Sequence, residues 1–279
     1  MAGFASYDQI ITSLTTNAKG EVGTLNKTSI TTVAGGKYAL SYVTGNPTAF
    51  TFGTALTATT VTQATTGAIL PFTNATAPAT KHLLSAGAGS TVAVGTILVY
   101  DLLARYPLNG TVTSGSFTTV TLPARDNTGA TSGVGIQAMV INANATATTA
   151  VNLTLTYTNS AGTAARSTGA QAIIASAQHR VVHDTQGFFM PLQAGDVGIR
   201  QVDSYTLSAT ATSTQLEIQL IRPLAYIPVL VAGGYTERDL VLNTPKLPRL
   251  YDGTALQFAL IAGTTSSGNI HGALQYSEN

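Results

Sequence analysis

The chain has 279 residues, enough for one large β domain or two ordinary ones; 44% are apolar and only 9% charged. Thirteen basic residues are balanced by twelve acidic ones, for a formal net charge of +1. That leaves no clustered Lys/Arg patch for nucleic acid, and the apolar content is the opposite of a disordered composition. With no Cys there is no disulfide or thiolate chemistry, and no apolar run reaches the ~18 residues of a membrane span.

The start, MAGFASYDQI, lacks the basic segment of a secretory leader, so synthesis in the cytoplasm is expected. Ser6-Tyr7-Asp8-Gln9 has the capping-box form, Ser with Gln three residues on. Ile10, Ile11 and Leu14 then share one face with Tyr7, which predicts a short helix over residues 6–16. Such a helix is marginal alone and must dock on its own sheet or on a neighbour. Gly35-Gly36 precedes a short strand, Lys37–Val43, which Gly45-Asn46-Pro47 ends. Thr48 to Thr80 shows little alternation and reads as extended chain over a surface.

From about residue 90 the strand signal strengthens. Val92–Tyr100, Ser116–Leu122, Gly135–Ile141, Val151–Thr158, Ala172–Val182, Val202–Ser208, Gln215–Leu220, Leu256–Ile261 and Ile270–Tyr276 are all predicted strands. Asp101–Tyr106 reads as a helical turn stopped by Pro107. In Gln215–Leu220 the alternation places Leu216, Ile218 and Leu220 inward, with Gln215, Glu217 and Gln219 outward. Many short strands with Gly-rich turns argue for an all-β fold, an antiparallel β-sandwich of jelly-roll-like type. Residues 1–85 are expected to form the short N-terminal helix with an extended arm or small β region, and 86–279 the sandwich. One internal echo stands out: LPARD at 122–126 and LPRLYDG at 247–253 each lead into a hairpin pattern.

Few residues carry a chemical motif. His179 and His183 are four apart, but Arg180-Val181-Val182 between them has strand character. On a strand that spacing is about 13 Å, too far for one ion. His183-Asp184 could begin a catalytic pair, but in a Thr-rich chain a nearby hydroxyl is not diagnostic. Gly133-Val134-Gly135-Ile136-Gln137-Ala138 fits GxGxxA but follows a loop and opens a strand, the wrong context for a dinucleotide. Arg125-Asp126 and Glu237-Arg238-Asp239 read as self-compensating charges. No catalytic, cofactor or metal residues are assigned, and no enzyme is expected.

VNLTLTYT, 151–158, puts Val151, Leu153, Leu155 and Tyr157 on one face and only Asn and Thr on the other. Such a face can lie against a sibling subunit without the cost of burying a charge. Low charge and near-zero net charge likewise suit a chain covered by copies or partners.

The ordered phrases SYDQIITSLTTNAKG, KYALSYVTGNP, TKHLLSAGA, VYDLLARYP, LPARDNTG, LTLTYTNSAGTAAR, FFMPLQAGDVGIRQVDSYTLSA and ERDLVLNTPKLPRLYDG run through most of the chain. In that order they resemble virion structural proteins of tailed bacteriophages, close in style to head decoration or capsid-stabilising (cement) proteins. The resemblance implies a multicopy, non-enzymatic β protein without cofactor, made in the host cytoplasm and held on the capsid surface. Its partners would be the major capsid protein and sibling copies in a homo-oligomer, with neither nucleic acid nor membrane. The segment expected to carry assembly is the helix with Ser6, Tyr7, Ile10, Ile11 and Leu14 and the extended chain after it. A tail, collar or fibre component is the alternative, followed by a carbohydrate-binding or hydrolytic virion module.

Overall fold

The structure, a computed structural model, describes residues 3–68, 73–143, 149–175, 178–183, 187–212, 215–244 and 246–279. Among the described residues one helix, α1 (Tyr7–Thr15), precedes β1 (Gly20–Lys27), β2 (Lys37–Ala39), β3 (Gly45–Asn46), β4 (Thr59–Thr60), β5 (Lys81–Ser90) and β6 (Gly95–Leu108). Then follow β7 (Ser114–Ser116), β8 (Gln137–Asn142), β9 (Val151–Asn159), β10 (Arg166–Ser167), β11 (Gln171–Ile173) and β12 (Ile199–Leu207). The last are β13 (Leu216–Val229), β14 (Tyr235–Asp239), β15 (Arg249–Leu250), β16 (Leu256–Ile261) and β17 (Ile270–Glu278). The fold is the expected all-β antiparallel sandwich.

Three sheets form among the described residues. The central one runs β2-β16-β6-β13-β8, with β4 on β6. A second runs β14-β5-β17-β1-β3, with β15 on β5, and the third runs β10-β9-β12-β7, with β11 on β9. The long strands β6 and β13 pair along their whole length and organise the rest. Register shifts at Leu220/Ile221 and at Pro223/Ala225 each insert an extra residue, and each exchanges which side chains face which way. As a result Ile97, Val99, Ala225 and Ile227 pack with Leu83, Ala86 and Leu274 of the second sheet. Further along, Tyr106, Leu108, Ile218 and Leu220 pack with Leu153, Leu155, Tyr205 and Leu207 of the third. Two cores therefore lie end to end on one face of the central sheet. Leu98, Tyr100, Leu102 and Ile221 face the other way and meet Phe50, Val61, Val181 and Phe188 from loops.

This layout explains where the strands depart from expectation. Asp101–Tyr106 is not a helical turn but the middle of β6, which is buried on both faces. Pro107 does not stop it, because it falls next to the strand end, past the two residues paired with β4. Pro223 and Pro228 sit in β13 beyond the reach of its neighbour β8, on an edge that needs no donor there. Ser116–Leu122 contributes only the end of β7; Phe117 and Leu122 enter the core from irregular chain. Of Ala172–Val182, residues 176–177 lie outside the described set, and Arg180 and Val181 form only isolated bridges to Tyr38 and Ile141. The 48–80 segment, of which 69–72 are likewise outside, lays Phe50 and Val61 over the central sheet. β5 runs across the expected boundary at residue 85, while β1 and β2 join sheets completed by β17 and β16.

Glu217 and Gln219 do point away from Leu216, Ile218 and Leu220, but not into water. Both are fully buried beneath the 41–51 loop. The Glu217 carboxylate accepts from Arg105 Nε at 3.0 Å, from Tyr42 Oη at 2.6 Å and from Gln219 Nε2 at 2.8 Å. The Arg105 guanidinium stacks on Phe50 at 4.5 Å and Tyr42 at 5.4 Å. Burial works against the Arg105 cation, but Glu217 and Tyr42 outweigh it and its pKa rises. Alternation sorts side chains between two faces; it does not say whether a loop covers the second.

Candidate functional site

Two places combine chemistry with access: the N-terminal helix and a cationic cleft where the two cores meet. Helix α1 begins as predicted. Ser6 caps it by accepting from Gln9 N at 3.4 Å, and Gln9 reaches back to accept from Ala5 N at 2.7 Å. What fastens it is polar. Ser13 is the buried residue of the helix; its hydroxyl lies 2.7 Å from that of Ser277 and donates to the Glu278 carbonyl. Lys19 then pairs with Glu278 at 3.2 Å. The apolar stripe faces outward instead: Tyr7 is 59% exposed, Ile11 57% and Leu14 43%, with Ile10 half-buried. The expected assembly residues Ser6, Tyr7, Ile10, Ile11 and Leu14 therefore stand together on one small element.

The second place comes from the echo. Its two copies, 122–126 and 247–253, converge on the middle of β6 and β13. There Asp101 and Arg222 are cross-strand partners between the two register shifts. Asp101 Oδ2 lies 3.4 Å from Arg222 Nη2, Oδ1 lies 3.6 Å from Arg125 Nη2, and Oδ1 also accepts from Ala255 N at 2.9 Å. Arg125 further donates to the carbonyls of Val61 and Leu102. Arg222 donates to the Arg249 carbonyl at 2.9 Å. The Tyr251 ring lies 4.8 Å from the Arg222 guanidinium and 4.6 Å from that of Arg249. Burial lowers the pKa of both Arg125 and Arg222, with Asp101 opposing.

Arg125-Asp126 is thus not self-compensating. Arg125 turns inward to Asp101, while Asp126 organises its own loop. Its Oδ1 accepts from Thr128 N, Thr128 Oγ1 and Ala130 N, and its Oδ2 from Ser132 Oγ, Gly133 N and Val134 N, all within 2.7–3.2 Å. Gly133 has φ +84°, and a Cβ there would lie 2.1 Å from the Ile199 carbonyl oxygen, so the glycines of GxGxxA serve this turn and open β8. Burial pushes the Asp126 carboxyl up, but hydrogen bonds from Ser132, Ala130 and Thr128 outweigh it and hold the group at about 2. An unfolded Asp titrates near ~3.9. The stabilisation is therefore complete above about pH 4 and lost as pH falls towards 2, roughly 2 kcal/mol in all. Asp126→Asn should lose about that much in urea unfolding at neutral pH, and its deficit should shrink towards about pH 2. A deficit that does not change with pH would contradict this role.

Glu237, Arg238 and Asp239 also find separate partners. Glu237 accepts from Ser85, Arg238 donates to the carbonyls of Tyr226 and Asn243, and Asp239 accepts from Val241 N. His183 is fully buried; Asp184 lies outside the described residues. Burial lowers His179 to about 4, with Lys27 adding to the effect. Among the described residues no group of three or more His, Asp or Glu is placed to hold a metal ion, and no helix is long and apolar enough to cross a membrane.

Arg222, Arg249 and Tyr251 open onto a cleft of about 500 Å³, lined also by Lys246, His82, Thr80 and Asn127, with Pro223, Leu224, Leu247 and Pro248 as its apolar wall. Burial, then Arg249, lowers His82 to about 4, so it is neutral at physiological pH. The individual arginines carried no motif; the echo was the one signal in the sequence that these segments belong together. No protein-family model, curated protein or solved structure matches the chain.

Proposed function

We propose that this chain is a non-enzymatic structural subunit of a tailed-bacteriophage virion, a multicopy head decoration or cement protein that binds the capsid lattice and its sibling copies. The observation that carries the assembly reading is α1: it is fastened to Ser277 and Glu278 through Ser13, yet turns Tyr7, Ile11 and Leu14 to solvent. An isolated helix of nine residues would be marginal in water; this one is held in place with its apolar stripe outward. Such a stripe is worth modest energy per copy, at ~25 cal/mol per Å² buried. Repetition across a lattice multiplies it by avidity. The uncharged Asn152, Thr154, Thr156 and Thr158 face of β9 is partly exposed and suits close packing against a neighbour. The phage assignment rests on the resemblance of the ordered sequence phrases.

Quantitative mass spectrometry of purified particles tests the proposal. A copy number in simple ratio to the major capsid protein is expected. A far lower count would move the chain to the tail, collar or fibres, and absence would overturn the proposal. The combined variant Tyr7→Ser, Ile11→Ser, Leu14→Ser should unfold within about 1 kcal/mol of the parent, as exposed substitutions do, while its occupancy on particles collapses. Full occupancy would show that the helix does not carry attachment.

A further inference from the structure

The cleft between the two cores holds more positive charge than the fold neutralises. Arg222, Lys246 and Arg249 line it, and no Asp or Glu does among the described residues. Asp101, behind it, is shared between Arg222 and Arg125. One carboxylate thus answers two buried guanidinium groups, neither of which gives up its proton. Asp126, the other acid near Arg222, commits both oxygens to its own loop. Arg222 is only 3% exposed, and its Nε, like the buried Nε of Arg249, has no hydrogen-bond partner among the described residues. A buried cation with an unused donor is costly unless an acceptor reaches it. The Tyr251 ring against both guanidinium groups holds them in place. A pair of fixed guanidinium groups is the arrangement that recognises phosphate and carboxylate oxygens.

Size and lining narrow the ligand further. About 500 Å³ is far more than a bare ion needs and falls within the ~300–1,000 Å³ of small-molecule sites. Pro223, Leu224, Leu247 and Pro248 give the same cleft an apolar lining beside the cations. We propose that this cleft binds a small organic oxyanion, a phosphate or carboxylate whose charged group meets Arg222, Arg249 and Lys246 and whose apolar part rests on the Pro223, Leu224 and Leu247 wall. The proposal is independent of the virion reading, because it concerns a ligand held within one chain.

Isothermal titration at constant ionic strength, with sodium chloride as the control, provides the test. The probes are phenyl phosphate, benzoate and inorganic phosphate. Saturable binding of phenyl phosphate or benzoate at one site per chain is expected, and the tighter of the two names the anionic group. Combining Arg249→Gln with Lys246→Gln should weaken that binding about ten-fold or more. The Arg249 carbonyl that accepts from Arg222 is untouched by this change, and Lys246 is exposed, so the unliganded unfolding midpoint should hold. No saturable binding of any probe to the parent protein overturns the proposal, whether or not the variant folds. Unchanged affinity in a folded double variant overturns it as well.

Discussion

Asp101→Ala is expected to lower the unfolding free energy by about 3–5 kcal/mol, the cost of stripping one partner from a buried ion pair. Asp101 is fully buried, and three groups turn to it: Arg222, Arg125 and the Ala255 amide. Removing the carboxylate leaves two buried guanidinium groups with only backbone carbonyls as acceptors and, for Arg222, the Tyr251 ring beside it. Asp101→Asn separates charge from shape. It keeps an acceptor for Ala255 N but no charge for the arginines, and should cost nearly as much as the alanine. Urea unfolding in phosphate-free buffer reads both variants. A loss below about 1 kcal/mol, the scale of a surface pair, would mean that water reaches the arginines and screens them.

Glu217→Ala should cost about as much, ~3–5 kcal/mol, on the opposite face of the same sheet. There the carboxylate answers Arg105, Tyr42 and Gln219 at once. Its removal strands the arginine between Tyr42 and Phe50 and loosens the 41–51 loop that covers Tyr100 and Leu102. Replacing both partners with apolar residues, Glu217→Leu with Arg105→Met, should recover much of the loss, because the desolvation of both charges disappears together. Equilibrium unfolding of the two variants and their combination forms the cycle. A double variant no better than Glu217→Ala alone would show that the pair matters for its geometry, not for mutual neutralisation.

The legible parts of this fold are those with one wet face. β9 alternates because its Thr and Asn side chains meet solvent, and the start of α1 was readable because a capping box is written within four residues. β6 is only half legible because it has no wet face: Asp101 and Arg105 are polar there for partners more than a hundred residues away, Arg222 and Glu217. A charge in a strand suggests solvent unless its partner is known, and nothing local names that partner. β5, KHLLSAGAGS, was obscured for a related reason. It is buried throughout, but small residues fill it where the neighbouring strands approach, and Ala and Gly have little strand preference. The outward stripe of α1 was visible as a stripe. Its direction was not, because that depends on Ser13 finding Ser277.

That contact also sets a timetable. Ser13 and Ser277 are 264 residues apart, and β1, just after the helix, pairs with β17 along its whole length. At ~5–20 residues per second, a ribosome needs roughly 13–50 s to make the chain between them. Throughout that interval β1 has β3 but lacks β17, and α1 lacks its anchor. The apolar stripe is therefore displayed in its fixed orientation only by chains made through Glu278. Under the assembly role proposed above, a helix seated by β17 lets chains made through Glu278 dock and leaves shorter nascent ones unable to.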